Sequence, residues 1–220
     1  MVGDMAHIKV NFVAPSISTP FPIREFDRCM EFVLENEAQG VVLDLRGNPG
    51  GVQALACSLS GYFLDEEFLF SDTAYVGDGG DLLIDGEERL RSEDQNPHWS
   101  GPLVVLVDHR TAGAAEGLAR VLQEHHGAKV VGNSRSQGAF GVTGGGITLP
   151  GGYTVYYPIG AYVDEAGTLL VAGDGAERGG VVPDVRIPWT VETFYLQLVE
   201  GEDLVLERAV EVLAAWEADA

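Results

Sequence analysis

The sequence contains few cysteines and few positive charges. Cys29 and Cys57 are its two cysteines, and each lies in an apolar helical pattern, which predicts buried thiols rather than a disulfide or a nucleophile. The chain carries 13 basic residues against 34 acidic ones, for a formal net charge of −21 at pH 7. Because such a chain repels polyanions, nucleic acid and anionic membranes are excluded as its main partners.

Long apolar runs are also missing, so the sequence predicts no membrane insertion. Adjacent His125 and His126 point to different faces of a helix and cannot form the i, i+4 pair typical of a metal site, so no metal or cofactor is predicted. The residues from Met1 to Asp4 show no signal peptide. On this basis the chain is either cytoplasmic or a mature or excised part of an exported protein.

Hydrophobic periodicity predicts an α/β domain. Two strand–helix units, at 41–64 and 104–126, are followed by β-rich sequence. This order is typical of a mainly parallel central sheet with added β-hairpins. Because no linker divides the chain, residues 1–220 are expected to form a single domain.

The later part of the chain carries weaker signals. Asp85-Gly86 predicts a hairpin turn, and the polar residues 89–100 predict an exposed excursion. Two closing helices are predicted at 191–199 and 204–218. The second is amphipathic and acidic, so it is interpreted either as a helix packed on its own domain or as a docking helix for a partner.

The stretch from Gly40 to Gly51 organises the rest of the chain. Val41 to Leu45 is an apolar run interrupted only by Asp44, which suits a strand covered on both faces. The Asn-Pro-Gly-Gly segment that follows cannot continue a helix or a strand, so it forms a turn. The turn is interpreted either as a tight connection or as an oxyanion hole built from backbone N–H groups. Asp44 is expected to pair with Arg46 and to hold this turn.

A second strand and turn follow the same plan. Leu103 to Val107 is a buried strand, and 108–118 is a sharp turn that leads into a helix. Since the carboxyl ends of parallel strands meet at one edge of a sheet, the two turns should lie together. Glu116 is interpreted as a first-turn acid favoured by the helix dipole, with a catalytic role as the alternative.

Three stretches resemble a known family. They are Val-Val-Leu-Asp-Leu-Arg-Gly-Asn-Pro-Gly-Gly at 41–51, Thr-Ala-Gly-Ala-Ala-Glu at 111–116 and Gly-Gly-Val-Val-Pro-Asp-Val at 179–185. Together they are similar to motifs of the carboxyl-terminal processing peptidases, also called tail-specific proteases. The resemblance covers about 7–188, with the closing helices at 189–220 outside it. It implies a ClpP/crotonase-like core without a PDZ module, a peptide or unfolded protein as substrate and an extracytoplasmic location, and it leaves an oligomer possible.

The resemblance also implies the site. In the family a serine nucleophile stands where this chain has Gly113, and glycine cannot form an acyl-enzyme, so the chain is expected to be inactive. The oxyanion hole would be formed by N–H groups of Gly50 or Gly51 and of Ala114. Many members place a lysine base on the loop that corresponds to 132–141, and this loop has no lysine.

Other groups remain as candidates for the base. His109, His7 and Glu177 are the residues considered, and His109 is otherwise interpreted as a surface histidine. Three functions therefore stay open. The first is a serine peptidase domain that lost its nucleophile, by engineering or naturally, and the second is a non-catalytic peptide- or lipid-binding module. The third is a crotonase-like enzyme, which the lack of a basic site for coenzyme A disfavours.

Overall fold

The computed structural model describes residues 1–16, 21–91, 95–171 and 179–216. Its strands form two sheets: a five-stranded parallel sheet in the order β1-β2-β5-β6-β9, and a four-stranded antiparallel sheet in the order β4-β3-β8-β7. The strands are β1 (Met5–Lys9), β2 (Gly40–Asp44), β3 (Leu69–Val76), β4 (Leu82–Arg91), β5 (Leu103–Val107), β6 (Lys129–Gly132), β7 (Gly141–Thr148), β8 (Thr154–Val163) and β9 (Val185–Arg186). The predicted α/β fold, with a parallel central sheet and β-hairpins, is confirmed, and no PDZ module occurs among these residues.

Five α-helices connect or cover these strands in the described residues. They are α1 (Pro22–Glu35), α2 (Gln53–Ser60), α3 (Ala114–Val121), α4 (Val191–Tyr195) and α5 (Leu204–Ala214). Helices α3 and α4 continue as π-helical turns at Leu122–His126 and Leu196–Glu200. None of these helices has the length and apolar character needed to cross a membrane.

The parallel sheet is buried on both faces. Every residue of β2 and of β5 is buried, which explains why both strands read as apolar runs without alternation. Side chains on one face pack with α1, α2 and α3 in the main core, which includes Leu43 and Val105. The other face packs against α5 through Val205, Ala209 and Leu213. The helix predicted at 204–218 is therefore packed on its own domain.

The predicted hairpin turn at Asp85-Gly86 is wrong. Asp85 pairs with Thr73 within the β3–β4 ladder, and β4 continues past this dipeptide to Arg91 on the same partner strand, with a register irregularity between Asp85 and Leu90. The chain reverses earlier, where the Gly77 N–H donates to the Asp81 carbonyl and Gly80 takes a positive φ of 86°. Both the segment 77–80 and the dipeptide Asp85-Gly86 carry turn signals, and only the segment 77–80 lies between two pairing strands.

Two other expectations need correction. The segment 89–100 is not wholly exposed, because Arg91 still belongs to β4, the Trp99 side chain is 9% exposed, and its backbone N–H donates to the Tyr62 carbonyl. Residues 92–94 of that segment lie outside the described part of the chain. Neither cysteine forms a disulfide, and only Cys57 is buried, whereas Cys29 is exposed on α1.

Candidate active site

The glycine-rich turn after β2 is held by a buried asparagine. The Asn48 side chain is fully buried, its Nδ2 donates to the Val10 carbonyl at 2.8 Å, and its Oδ1 accepts the Gly50 N–H at 2.9 Å. The Val13 N–H donates to the Gly50 carbonyl at 2.9 Å. The turn is therefore tied to the segment after β1 on one side, and its conformation is set before any ligand arrives.

The turn after β5 is organised by Asp108 and Thr111. The Asp108 carboxylate accepts the N–H groups of Arg110 and Thr111 at 2.9 and 3.0 Å. Burial raises the pKa of Asp108, but backbone hydrogen bonds from Gly47 and Arg110 outweigh it and hold that pKa below its usual value. An aspartate directly after a buried strand, three residues before a threonine, is a turn signal that could have identified this role from sequence.

Hydrogen bonds join the two turns directly. The Gly47 N–H donates to Asp108 Oδ1 at 2.9 Å, the Thr111 hydroxyl donates to the Leu45 carbonyl at 2.9 Å, and the Ala112 N–H donates to the Asn48 carbonyl at 2.9 Å. The two loop tips therefore meet, as the parallel-sheet argument predicted.

The contact is closest between Gly50 and the start of α3. A Cβ atom at Gly50 would lie 2.6 Å from the Ala112 carbonyl oxygen and 2.9 Å from the Ala114 nitrogen, so only glycine fits there. A Cβ atom at Gly113 would instead lie 3.6 Å from the Pro49 carbonyl oxygen, which is ordinary van der Waals contact. The position of Gly113 thus has space for a side chain that faces the glycine-rich turn.

Gly113 has a backbone conformation that side chains rarely adopt, with φ at 54° and ψ at −127°. A sharp, strained turn between a strand and a helix is how some hydrolases present a nucleophile above a sheet. Of the three amides predicted for the oxyanion hole, that of Gly50 is bonded to Asn48. The N–H groups of Gly51 and Ala114 donate no hydrogen bond to another backbone group among the described residues.

Glu116 joins the start of α3 to the loop between β6 and β7. Its carboxylate is fully buried and accepts four hydrogen bonds. The donors are the Gly113 N–H at 2.9 Å, the Ser136 hydroxyl at 2.5 Å, the Gly138 N–H at 2.6 Å and the Ala139 N–H at 2.7 Å. The helix-dipole interpretation explains only the first of these. The carboxylate fixes both the backbone at Gly113 and the loop that passes beside it.

The candidate bases lie in different environments. His109 is exposed, His7 Nε2 lies 3.2 Å from Asp44 Oδ2, and Glu177 lies outside the described residues. Lys9 also binds Asp44, at 3.1 Å, and Lys129 begins β6, so neither lysine belongs to the loop between β6 and β7. The geometry singles out none of these groups as a base for a reaction at Gly113.

Asp44 forms a buried charge cluster with Arg46, as expected. Arg46 Nε and Nη2 bond both Asp44 oxygens at 2.9 and 2.8 Å, and Nη1 bonds Asp203 at 2.6 Å. Burial raises the pKa of Asp44, but hydrogen bonds from His7 and Arg46 outweigh it and hold that pKa far below the usual range. Because Asp203 also caps α5 by accepting the Leu206 N–H, the cluster links the glycine-rich turn to that helix.

The described residues contain no preformed site for a metal ion. Among the described residues, no three side chains of histidine, cysteine, aspartate or glutamate are grouped so that they could hold a metal ion. The paired turns offer backbone N–H donors, a side-chain space at Gly113 and the buried carboxylate of Glu116.

A parallel sheet whose strand ends bring backbone amides together beside one side-chain position is an arrangement that can bind the oxygen of a carbonyl group. The chain matches Peptidase family S41 over residues 21–187, and it belongs to that family. It is 32% identical to the chloroplastic carboxyl-terminal-processing peptidase 1 of Arabidopsis thaliana over 71% of this chain and 29% of that protein. It is 30% identical to the carboxy-terminal processing protease CtpA of Bacillus subtilis over 50% of this chain and 22% of that protein.

The fold likeness extends further than the sequence likeness. The crystal structure of a protein from Parabacteroides merdae superposes with a TM-score of 0.74 at 20% identity, over 99% of this chain and 63% of that one. The chain spans about a quarter of the length of the two curated relatives: 29% of the Arabidopsis protein and 22% of the Bacillus protein.

Proposed function

We propose that this chain is a serine-endopeptidase-type domain that binds peptides at the paired turns and lacks acyl-enzyme chemistry, because Gly113 stands in place of the nucleophile. The observation that carries this proposal is the geometry at Gly113. The residue lies at the start of α3, beside the glycine-rich turn. A Cβ atom at this position would lie 3.6 Å from the Pro49 carbonyl oxygen. A serine hydroxyl would fit into this space, and glycine offers no atom that can attack a carbonyl.

The proposed oxyanion donors are the N–H groups of Gly51 and Ala114. Both belong to the turns that the hydrogen bonds of Asp108, Thr111 and Ala112 hold together, so they are ordered before a ligand binds. The Gly50 N–H is a poorer donor for this purpose, because it would have to leave Asn48 first. Two such amides would donate to the carbonyl oxygen of a peptide bound in an extended conformation, which gives affinity from the main chain with little demand on sequence.

The names of the relatives support a proposal for the substrate class. The Arabidopsis and Bacillus proteins are described as carboxyl-terminal processing enzymes, so we expect this domain to bind peptides or unfolded proteins near their carboxyl ends. The proposal assigns no general base, since the loop between β6 and β7 has no lysine and His109 is exposed. A restored serine would therefore work without an activating group in its usual place, and its turnover would be slow.

The test restores the nucleophile with a matched control. Gly113→Ser and Gly113→Ala impose the same Cβ on the same backbone conformation and differ only in the hydroxyl. Hydrolysis of unfolded casein and of peptides with apolar carboxyl ends is measured for both variants and for the unchanged chain. Peptide binding is followed in parallel by fluorescence anisotropy.

We expect saturable peptide binding by all three proteins and hydrolysis by Gly113→Ser alone, at least about tenfold above Gly113→Ala. If both variants stay silent while peptide or lipid still binds, the non-catalytic binding module is the better description. Absence of peptide binding in all three would overturn the proposal. Hydrolysis by the unchanged chain would contradict the role given to Gly113.

A further inference from the structure

The helix that follows β9 carries its apolar side chains on the outside. Val191, Phe194, Tyr195, Leu198 and Val199 follow the spacing i, i+3, i+4, i+7, i+8, and we call this set the α4 stripe. Such spacing is typical of the face that a helix packs against a core. The same pattern in α5 does pack against the parallel sheet. The α4 stripe does the opposite.

The exposed fractions of these side chains show which way the helix faces. Val191 is 90% exposed, Leu198 and Val199 are each 63% exposed, and Phe194 and Tyr195 are 53% and 51% exposed. Trp189, directly before the helix, is 50% exposed and packs edge-on against Phe194 with ring centroids 6.1 Å apart. The side turned toward the protein carries instead the half-buried residues Thr193, Leu196 and Gln197. The helix thus faces solvent with its apolar side.

This orientation is held by specific bonds. Thr190 and Thr193 form a reciprocal cap, in which each hydroxyl accepts the backbone N–H of the other, at 3.1 and 2.8 Å. The Thr193 hydroxyl also donates to the Pro188 carbonyl at 2.7 Å, which fixes the start of the helix to the chain after β9. The helix closes with the Glu202 N–H on the Leu196 carbonyl at 3.0 Å. Since both ends are capped, the α4 stripe is a formed surface.

The base of the helix is also anchored to the rest of the domain. Asn133 donates its side-chain amide to the Ile187 carbonyl at 3.0 Å and accepts the Arg186 Nε–H on its own carbonyl at 3.0 Å. Asn133 begins the loop that Glu116 holds farther along. The segment that leads into α4 is therefore attached to the core at Asn133.

The exposed apolar area of the α4 stripe is large enough for an interface between two copies of this chain. An aromatic side chain buries about 150–250 Å² in full, and Trp189, Phe194 and Tyr195 are each about half exposed. With the aliphatic members of the α4 stripe they offer roughly 600 Å² on one chain. Two such surfaces facing each other would bury about 1,200 Å², which is the lower bound of stable complexes. A single patch of this size is also at the upper end of what monomers leave uncovered.

Charge also permits this pairing. Between Trp189 and Glu200 the only charged residues are Glu192 and Glu200, near the two ends of the helix. The centre of the α4 stripe therefore carries no charge, whereas Glu200 lies at its edge and is hydrogen-bonded to the Tyr195 side chain. Two chains of net charge −21 repel each other elsewhere. A basic partner would gain little from so neutral a centre.

From these observations we infer that the α4 stripe and Trp189 form the interface of a homodimer, in which the same surface of a second copy packs against them around a two-fold axis. The interface is independent of peptide binding at Gly113. Its dissociation constant is expected at about 1–10 µM, because the buried area is at the low end for stable complexes.

The test measures the oligomeric state by sedimentation velocity across protein concentration. Leu198→Glu places a charge in the centre of the α4 stripe, and Leu83→Glu is the matched control, because Leu83 is 61% exposed on β4 while Leu198 is 63% exposed. Leu198→Glu should weaken the dimer at least about thirtyfold, and Leu83→Glu should leave it unchanged. Circular dichroism and thermal unfolding verify that both variants are folded, and Phe194→Ser serves as a second probe.

Salt separates this inference from a charge-driven association. Raising the ionic strength from about 0.05 to 0.5 M screens the repulsion between two acidic chains, so the dimer should tighten. Association that weakens with salt, or that Leu83→Glu removes while Leu198→Glu keeps it, would overturn the inference. A chain that stays monomeric at about 100 µM, well above the expected dissociation constant, would overturn it as well.

Discussion

Replacing Glu116 by glutamine tests how the start of α3 and the loop between β6 and β7 are held together. Each carboxylate oxygen accepts two bonds: Oε2 from the N–H groups of Gly113 and Ala139, and Oε1 from the Ser136 hydroxyl and the Gly138 N–H. An amide has one oxygen and one NH₂ group, so in either orientation its NH₂ faces at least one backbone N–H. The Ser136 hydroxyl can rotate to accept, but the N–H groups cannot.

The expected cost follows from these contacts. Hydrogen bonds to a charged group contribute about 1.5–3 kcal/mol each, and a buried N–H left without an acceptor costs about 1–3 kcal/mol. In its better orientation Glu116→Gln loses one charge-assisted bond and leaves the Gly138 N–H unpaired. The free energy of unfolding should therefore fall by about 3–5 kcal/mol, a large part of the 5–15 kcal/mol typical of a domain.

The assay is urea unfolding followed by circular dichroism, with Glu207→Gln as the control. Glu207 is also a first-turn acid, on α5, but it is exposed, so its change measures only the helix dipole, at about 0.3–1 kcal/mol. Hydrogen exchange should become faster at Gly138 and Ala139 in Glu116→Gln and stay the same in the control. Equal stability losses in the two variants would refute the network and restore the simple dipole interpretation.

Two further predictions concern Gly50 in the glycine-rich turn and Asp44 at the end of β2. Gly50→Ala should destabilise the fold at least about 2 kcal/mol more than Gly113→Ala in urea unfolding. The reason is that a Cβ atom at position 50 would lie 2.6 Å from the Ala112 carbonyl oxygen, whereas position 113 has space for one. Equal losses of stability in the two variants would contradict the close contact at Gly50. Asp44 has a lowered pKa when folded, so the folded state resists its protonation and the unfolded state binds more protons in acid. The contribution of Asp44 to the free energy of unfolding should be complete above a pH of about 4 and should be lost as the pH falls below it. Thermal unfolding measured from pH 7 to about 3 would show this loss. Asp44→Asn should flatten that dependence, and an unchanged slope would exclude Asp44 as its source.

The sequence determined those parts of the fold whose signals are local. β2 and β5 were predictable because a strand buried on both faces is apolar at nearly every position, with Asp44 as the exception in β2. The turn after β2 was predictable because Asn48 to Gly51 cannot continue a regular element. The meeting of the two turns was also predictable, since strands that lie parallel end at the same edge. The hairpin failed because Asp85-Gly86 carries a turn signal that pairing across β3 and β4 overrides.

The tertiary structure alone decided which polar groups share a partner and which apolar face stays outside. Glu116 reads as an ordinary first-turn acid until the fold brings Ser136, Gly138 and Ala139 against it, some twenty residues farther along the chain. The α4 stripe and α5 show the same apolar periodicity, yet one faces solvent and the other covers the parallel sheet. Periodicity states that a helix has an apolar side, but the packing of distant segments determines which surface that side meets.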